Sequence, residues 1–195
     1  MSQFWLYLKL GLEHVLDLNA YDHILFLIAL VASYTFTSWK RVLWLVTIFT
    51  LGHTFALFLS TYEIVIVDTT WVEFLIPVSI MITAIYNIFT ASNKEKTSNP
   101  GLLYFTTAFF GIIHGLGFST YFKMLSSGFS SKILPLIEFA LGIECAQAIV
   151  VLSVLILALI VQNFFQASKR DWILVVSAIV IGIILPILRD NFNAI

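Results

Sequence analysis

The chain has 195 residues, of which 60% are hydrophobic and 11% charged, with a formal net charge of −1 and a mean hydropathy of +0.99. Soluble domains carry about a quarter charged residues, so this composition excludes an ordinary soluble protein and predicts an integral membrane protein. Phosphate binding needs clustered Lys and Arg, and the chain has no basic run, which excludes nucleic acid as a partner. The length fits a single membrane domain, residues 1–195.

Hydropathy divides the chain into six segments that are long enough to cross a bilayer, a crossing that takes about 20 mainly apolar residues. The predicted spans are 19–36, 42–60, 72–91, 102–125, 133–165 and 172–188. Ahead of them, residues 3–18 predict a short helix that is apolar on one side only. The fold prediction is an all-α, polytopic membrane helix bundle of six transmembrane helices plus a short N-terminal helix, either interfacial or re-entrant.

The distribution of Lys and Arg predicts the orientation of these spans, because cytoplasmic loops carry an excess of both residues. If residue 1 lies outside, the inner loops contain Lys40, Arg41, Lys94, Lys96, Lys169 and Arg170. The outer side then contains Lys9, Lys123, Lys132 and Arg189. The excess on the inner side predicts that the N-terminus lies outside.

All four histidines and several acidic residues lie within or beside the apolar segments. An ionisable group at the bilayer centre costs at least ~2.5–3.5 kcal/mol on insertion scales, so such a group usually has a partner or a function. At about 1.5 Å per residue, the predicted topology brings these side chains into the outer half of the bilayer or near its middle. We therefore predict one metal site with six candidate ligands: His14, Asp22, His23, His53, His114 and Glu144.

The donor types indicate the class of metal. Imidazole and carboxylate without thiolate favour a divalent transition metal, such as nickel, zinc, cobalt, copper or iron, over magnesium or calcium, which prefer oxygen ligands. Further polar residues are expected to support the site or to line a pathway: Asp17, Glu73, Asn87, Glu138 and Gln147. The stripe from Glu73 to Asn87 follows one face of the third span, and it fits either an exit path or a polar seam between helices. Gly111 and Gly115 flank His114 four residues apart, which predicts a close helix contact.

Structural roles stay open for several of the candidates. Asp22 is suited to a helix cap, and His14 and Asp17 are suited to a surface pair. His53 is suited to a hydrogen bond that joins two helices in the bilayer.

Six blocks of the chain resemble the signature blocks of the HupE/UreJ family of bacterial membrane proteins. They are GLEH at 11–14, DHILFL at 22–27, GHT at 52–54, VEF at 72–74, FGIIHGLGF at 110–118 and GIECAQ at 142–147. The resemblance implies a six-span protein of the bacterial inner membrane, and the outside location predicted for the N-terminus from the Lys and Arg asymmetry is then the periplasm. It also implies a role in nickel supply to hydrogenase or urease, generally as a secondary permease.

The functional expectation is a metal-binding permease rather than an enzyme, with nickel as the favoured ion. Its expected partners are the lipid bilayer, the metal ion, and either a second copy of the chain or a metalloenzyme maturation system. One alternative is a membrane-embedded zinc hydrolase, in which three histidines and an aspartate bind a metal that activates water. The other is a haem-binding membrane protein with His53 and His114 as axial ligands.

Overall fold

The computed structural model describes residues 2–18, 20–92, 100–129 and 131–195. The described residues form seven α-helices, and a short 3₁₀ turn, Phe36–Ser38, precedes the third. The helices are α1 (Gln3–Leu16), α2 (Asp22–Val31), α3 (Trp39–Thr61), α4 (Thr69–Thr90), α5 (Pro100–Leu125), α6 (Ile133–Phe164) and α7 (Lys169–Asn193). The prediction of an all-α membrane protein is confirmed.

The helices α3 to α7 are long and apolar enough to cross a bilayer. The shortest of these five, α4, has 22 residues and extends about 33 Å, against a hydrocarbon core of ~30 Å. The predicted first span, 19–36, contains α2, whose ten residues extend only about 15 Å. A full-length helix there is therefore not confirmed, and residue 19 lies outside the described residues, as do Lys94 and Lys96 of the third predicted loop.

The loops between the long helices define two faces of the bundle. The N-terminal face contains loops 62–68 and 126–132, beside which Lys123 Nζ donates to Glu63 Oε1 at 2.5 Å. The opposite face contains the segments 32–38 and 165–168. There Arg170 Nε, at the start of α7, donates to the Ser92 hydroxyl, just after α4, at 2.9 Å.

The two short helices follow one another through the depth of the bundle. α1 begins at the N-terminal face, where the Tyr7 hydroxyl donates to the carbonyl of Leu125, the last residue of α5, at 3.0 Å. α2 ends towards the opposite face, where Asn87 Nδ2, near the end of α4, donates to the Ala29 carbonyl at 2.6 Å. The break between α1 and α2, residues 17–21, consequently lies between the two faces.

Glycines bring α3 and α5 into backbone contact. A Cβ added to Gly111 would overlap the Phe49 carbonyl oxygen, and one added to Gly115 would overlap the His53 carbonyl oxygen. Small residues allow this approach because no side chain separates the two backbones. The predicted close contact around His114 is confirmed, and it fixes the distance between the helices that carry His53 and His114.

A second glycine contact holds α1 against α6. A Cβ on Gly11 would overlap the Phe139 carbonyl oxygen, and a Cβ on Gly142 would overlap the Leu8 carbonyl oxygen. Tyr7, Gly11 and Val15 recur every four residues and are all buried, so they form the inward face of α1. α1 is thus packed into the bundle along its length.

Candidate metal centre

Four histidine rings meet between the two faces, and each comes from a different helix. His14 lies in the last turn of α1, His23 in the first turn of α2, His53 on α3 and His114 on α5. The ring centroid of His23 lies 4.6 Å from that of His14, 5.5 Å from that of His53 and 5.0 Å from that of His114. His14 and His53 are 5.6 Å apart. His23 therefore lies at the centre of the cluster.

Three of these imidazoles are buried, that of His14 is half-buried, and all four are only partly hydrogen-bonded. The exposed fractions of His23, His53 and His114 are 2%, 0% and 1%. Within the described residues, Nε2 of His14 and of His23, both ring nitrogens of His53 and Nδ1 of His114 have no hydrogen-bond partner. A buried polar atom without a partner loses its hydration without compensation. The cluster therefore presents several nitrogen atoms that are suited to a bound ion.

Two overlapping groups of side chains have the geometry for a metal ion. One contains His14, His23 and His53, and the other contains Asp22, His23 and His114. Within each group, one donor atom per residue lies within 4.8 Å of the others. Two ligands of one ion with bonds of ~2.0–2.1 Å lie no more than ~4.2 Å apart. Small side-chain rotations bring either group into that range.

Asp22 orients the central imidazole. Its Oδ1 accepts the backbone N–H of His23 at 2.9 Å and lies 3.3 Å from His23 Nδ1. When Nδ1 carries the proton and donates it to this carboxylate, Nε2 keeps its lone pair. A carboxylate behind a histidine is the usual arrangement around a metal-binding imidazole, since it fixes both the tautomer and the ring orientation.

Ser79 of α4 orients the His114 imidazole in the same way. Its hydroxyl lies 2.7 Å from the Ile76 carbonyl and 3.2 Å from His114 Nε2. The hydroxyl has a single proton, and the shorter contact is to the carbonyl, which can only accept it. Ser79 then accepts from His114 Nε2–H, and Nδ1 of His114 is left with its lone pair. Sequence reasoning did not assign Ser79 to the site, although it shares a buried stripe of α4 with Asn87.

Aromatic rings enclose the cluster. The Phe118 ring lies 3.9 Å from that of His14, and the rings of Phe26 and Phe49 lie 5.2 and 5.3 Å from that of His114. These walls exclude water from the imidazoles and lower the local dielectric, which strengthens the attraction between a cation and its ligands. Sequence reasoning missed all three rings, because hydropathy treats them as ordinary core.

Glu144 lies apart from both groups. Its Oε1 is 2.6 Å from the Thr47 hydroxyl, at the contact between α6 and α3. Gln147, one turn further along α6, is fully buried, and its Oε1 accepts from Thr50 at 2.9 Å. The structure thus gathers five of the six candidate ligands and leaves the sixth in a neighbouring polar contact.

The other predicted supporting residues are distributed around the centre. Glu138 is 5% exposed, with no partner for its Oε2 among the described residues. Asp17 and Glu73 are exposed, and the Glu73 carbonyl accepts from Asn191 at 2.7 Å. Asn87 joins α4 to α2 through the Ala29 carbonyl. Its side chain therefore fits the polar-seam interpretation of the α4 stripe.

Two cavities approach the cluster from different sides. One of about 670 Å³ lies beside the end of α1 and is lined by His14, Asp17 and Phe118, among others. The other, of about 440 Å³, lies between α4 and α7 and is lined by Asp22 and Glu73, among others. Each cavity is therefore lined by one residue of the cluster, His14 or Asp22, and a single side chain separates the buried histidines from it.

The model of the family described as HupE / UreJ protein matches residues 1–188 of the chain. Neither a curated protein nor a solved structure matches it. The family match confirms the resemblance of the sequence blocks. It indicates a multi-pass membrane protein that is tied to the handling of nickel or another metal.

Proposed function

Because the chain belongs to the HupE/UreJ family, we propose that it is a secondary permease for a divalent transition metal, with nickel as the favoured substrate. The observation that carries the proposal is the cluster of four imidazoles from four helices, three of them buried, with ring nitrogens that have no partner within the described residues. Such a cluster does not stabilise the fold by itself, because each unpaired buried nitrogen costs free energy.

His23 is the central ligand of the proposed site. It belongs to both ligand groups, so an ion bound to it can be shared first with His14 and His53 and then with Asp22 and His114. Two overlapping sites suit transport. The ion must bind strongly enough to enter, and sharing it between successive sites allows it to leave. Metal ligands must be deprotonated to bind, so protonation of the imidazoles provides a means of release.

Glu144 is placed next on the route. Phe139 of α6 lies against His14, with ring centroids 5.7 Å apart, and Glu144 follows five residues later, about 7.5 Å further towards the opposite face. Its carboxylate, held by Thr47, is the first acidic group that an ion meets after it leaves the histidines along α6. Glu138, one turn before Gly142, stands on the side of the N-terminal face.

We propose that α1 and α2 together make the first membrane crossing. Their 14 and 10 residues extend about 21 and 15 Å, which together match a hydrocarbon core of ~30 Å. The chain would then cross six times, with the first crossing interrupted at residues 17–21. Transporters commonly place their binding sites at such interrupted helices, near the bilayer midplane. His14 and His23 flank this interruption.

The proposed orientation follows the Lys and Arg asymmetry of the sequence. The N-terminal face is periplasmic, and its loop 62–68 contains neither Lys nor Arg. The protein then resides in the bacterial inner membrane, with the two cavities beside His14 and Asp22 giving access from the periplasm.

Metal analysis of purified variants tests this function. His53→Gln and His23→Ala are expected to lower nickel affinity by at least about tenfold, since the loss of an outer-shell partner alone typically costs 10–100-fold. Thr54→Val is the matched control, because Thr54 adjoins His53 on the same helix and its hydroxyl has no hydrogen-bond partner among the described residues. Uptake of nickel into proteoliposomes should fall in the same two variants. Unchanged metal content and uptake in both would refute the proposal.

A membrane-embedded metal hydrolase is the second candidate, and the cavity of about 670 Å³ favours it. This cavity places Leu10, Leu16 and Leu18 beside His14, which suits an apolar substrate next to a metal-activated water. Release of fatty acid from lipid vesicles, together with unchanged nickel uptake in His53→Gln, would favour this candidate over the permease. The haem alternative, with His53 and His114 as axial ligands, is not proposed, because the His23 ring lies 5.5 Å from that of His53 and 5.0 Å from that of His114 and takes the space that a porphyrin between them would need.

A further inference from the structure

A third cavity, of about 220 Å³, lies at the opposite face of the bundle, away from the histidines. Its lining comes from the end of α2, from the segment after it, and from α3, α4, α5 and α7, and it includes Arg41 and Lys169. We infer that this cavity binds a phosphate group, either that of an anionic phospholipid or free phosphate. The inference is independent of what the histidine cluster binds.

Charge is the first support for an anionic ligand. Arg41 and Lys169 are the charged residues that line the cavity in the described part of the chain, and no described carboxylate accompanies them there. Arg41 lies over the Tyr34 ring, 5.9 Å from its centroid, which holds the guanidinium at the rim. Asp171, two residues after Lys169 in the sequence, accepts from the Ser168 hydroxyl at 2.7 Å and does not line the cavity. Arg forms charge-assisted, two-pronged hydrogen bonds with phosphate, and Lys adds a point charge.

Hydroxyl groups supply the second support. Five side-chain hydroxyls line the cavity, those of Ser33, Tyr34, Ser38, Thr83 and Tyr86. The Thr83 hydroxyl donates its proton to the Ser79 carbonyl at 2.8 Å, so towards a ligand it can only accept. Phosphate oxygens accept from hydroxyl donors such as those of Ser33 and Ser38, and a headgroup with glycerol hydroxyls also provides donors in return. Asn87, Leu30 and Leu103 complete the lining, and the two leucines give it an apolar surface, as expected where a polar headgroup meets acyl chains.

Helix direction supplies the third support. α3, α5 and α7 all begin at this face, at Trp39, Pro100 and Lys169. The first turns of helices have backbone N–H groups without intrahelical partners, and their dipoles favour a negative charge. At the start of α3 the Ser38 side chain makes no capping hydrogen bond, but the Trp39 N–H donates to the Phe36 carbonyl. At the start of α7 the Ser168 hydroxyl accepts from the Asp171 N–H. The support from these helix starts is therefore the direction of their dipoles.

The same features are unsuited to the transported metal. A divalent cation in this cavity would face a guanidinium and an ammonium, with no acidic partner among the described residues of the lining. In the proposed orientation this face is cytoplasmic, where anionic lipids are concentrated and basic pockets between helices bind their headgroups.

Binding of dioctanoyl phosphatidylglycerol and of inorganic phosphate to the full-length purified protein tests the inference. Native mass spectrometry and calorimetry should give one saturable site for at least one of these probes. Arg41→Gln and Lys169→Gln are each expected to weaken it about tenfold, as charge-assisted hydrogen bonds are lost. Lys40→Gln is the matched control, because Lys40 lies over the Trp39 ring rather than in the cavity lining, and its affinity should stay at the wild-type value.

The two sources of phosphate are separated by competition. A lipid site binds phosphatidylglycerol in the presence of millimolar inorganic phosphate, whereas a free-phosphate site loses the lipid under these conditions. Size-exclusion profiles confirm that each variant is folded, and Lys169→Gln serves if Arg41→Gln is not. Equal affinity in Lys169→Gln and Lys40→Gln, or no saturable binding of either probe, would overturn the inference.

Discussion

Gly11→Ala is expected to move α1 away from α6 and to withdraw His14 from the histidine cluster. The new Cβ would overlap the Phe139 carbonyl oxygen, a backbone atom that cannot rotate away. Restoring ordinary contact requires the two helices to separate by at least ~1 Å. His14 lies three residues later on α1, so its ring moves with the helix away from His23, now 4.6 Å distant.

The expected loss is in metal affinity more than in folding. Overpacking costs about 1–3 kcal/mol, partly offset by the ~1 kcal/mol that Ala gains over Gly in a helix. Displacement of one ligand should lower nickel affinity by about 10–100-fold, as measured by isothermal calorimetry. Gly182→Ala on α7 is the control, because nothing lies within 4 Å of its added Cβ, and it should bind nickel as the wild type does.

A double variant separates the proposed cause from general damage. If Gly11→Ala acts through His14, then Gly11→Ala combined with His14→Ala should bind nickel no more weakly than His14→Ala alone. Additive losses would mean that the helix shift harms the site by another route. Wild-type affinity in Gly11→Ala would refute the assignment of His14 to the site.

Three further predictions concern other parts of the molecule. Ser79→Ala should weaken nickel binding about 10–100-fold, because His114 loses the acceptor for its Nε2–H. Ser153→Ala, at an exposed site on α6, should leave the affinity measured by calorimetry unchanged. Equal affinities in the two variants would contradict the role of Ser79. The hydrogen bond from Lys123 holds the pKa of the Glu63 carboxyl below its usual range. The pair therefore stabilises the fold at pH values above the unfolded pKa of about 4.3, and this stabilisation is lost as the pH falls through the folded pKa. NMR titration should show a higher Glu63 pKa in Lys123→Gln, and an unchanged value would mean that the pair does not form. In a Cys145→Ser background, a membrane-impermeant maleimide should label Gln3→Cys in right-side-out vesicles and Tyr34→Cys in inverted vesicles. Labelling of both cysteines in the same kind of vesicle would contradict an α1–α2 crossing.

Hydropathy predicted the five long helices because a bilayer imposes a minimum apolar length on each. It also placed a boundary between residues 18 and 19, within the observed break at residues 17–21, but it could not predict that α2 ends at Val31, since the apolar run continues to residue 36. Hydropathy indicates which segments are apolar enough to lie in a bilayer. It does not indicate at which residue a helix within such a segment ends.

The charges of α1 explain why its position inside the bundle was not evident. Lys9 and Glu13 suggested an interfacial helix, yet they form an exposed pair at 3.4 Å on the outer side of α1. The inward side carries Tyr7, Gly11 and Val15. Its contact with α6 depends on Gly11, whose hydropathy is unremarkable and whose value lies in its missing side chain.

Counting depth along the spans predicted that the histidines would share one layer, and it placed Glu144 in that layer too. Depth does not determine which neighbour a side chain faces. Glu144 faces Thr47 of α3, whereas His53, six residues after Thr47 on the same helix, faces His14 and His23. Ser79 escaped assignment because a serine in an apolar helix usually bonds its own backbone, and Ser79 does that as well as contacting His114.

X-ray absorption at the nickel K-edge of the loaded protein counts the imidazoles that bind the ion. The proposed centre should give a spectrum dominated by nitrogen ligands, with the multiple-scattering pattern of at least three imidazoles, and a lower imidazole count in His23→Ala. An oxygen-only shell that is identical in the wild type and in His23→Ala would contradict the proposed centre.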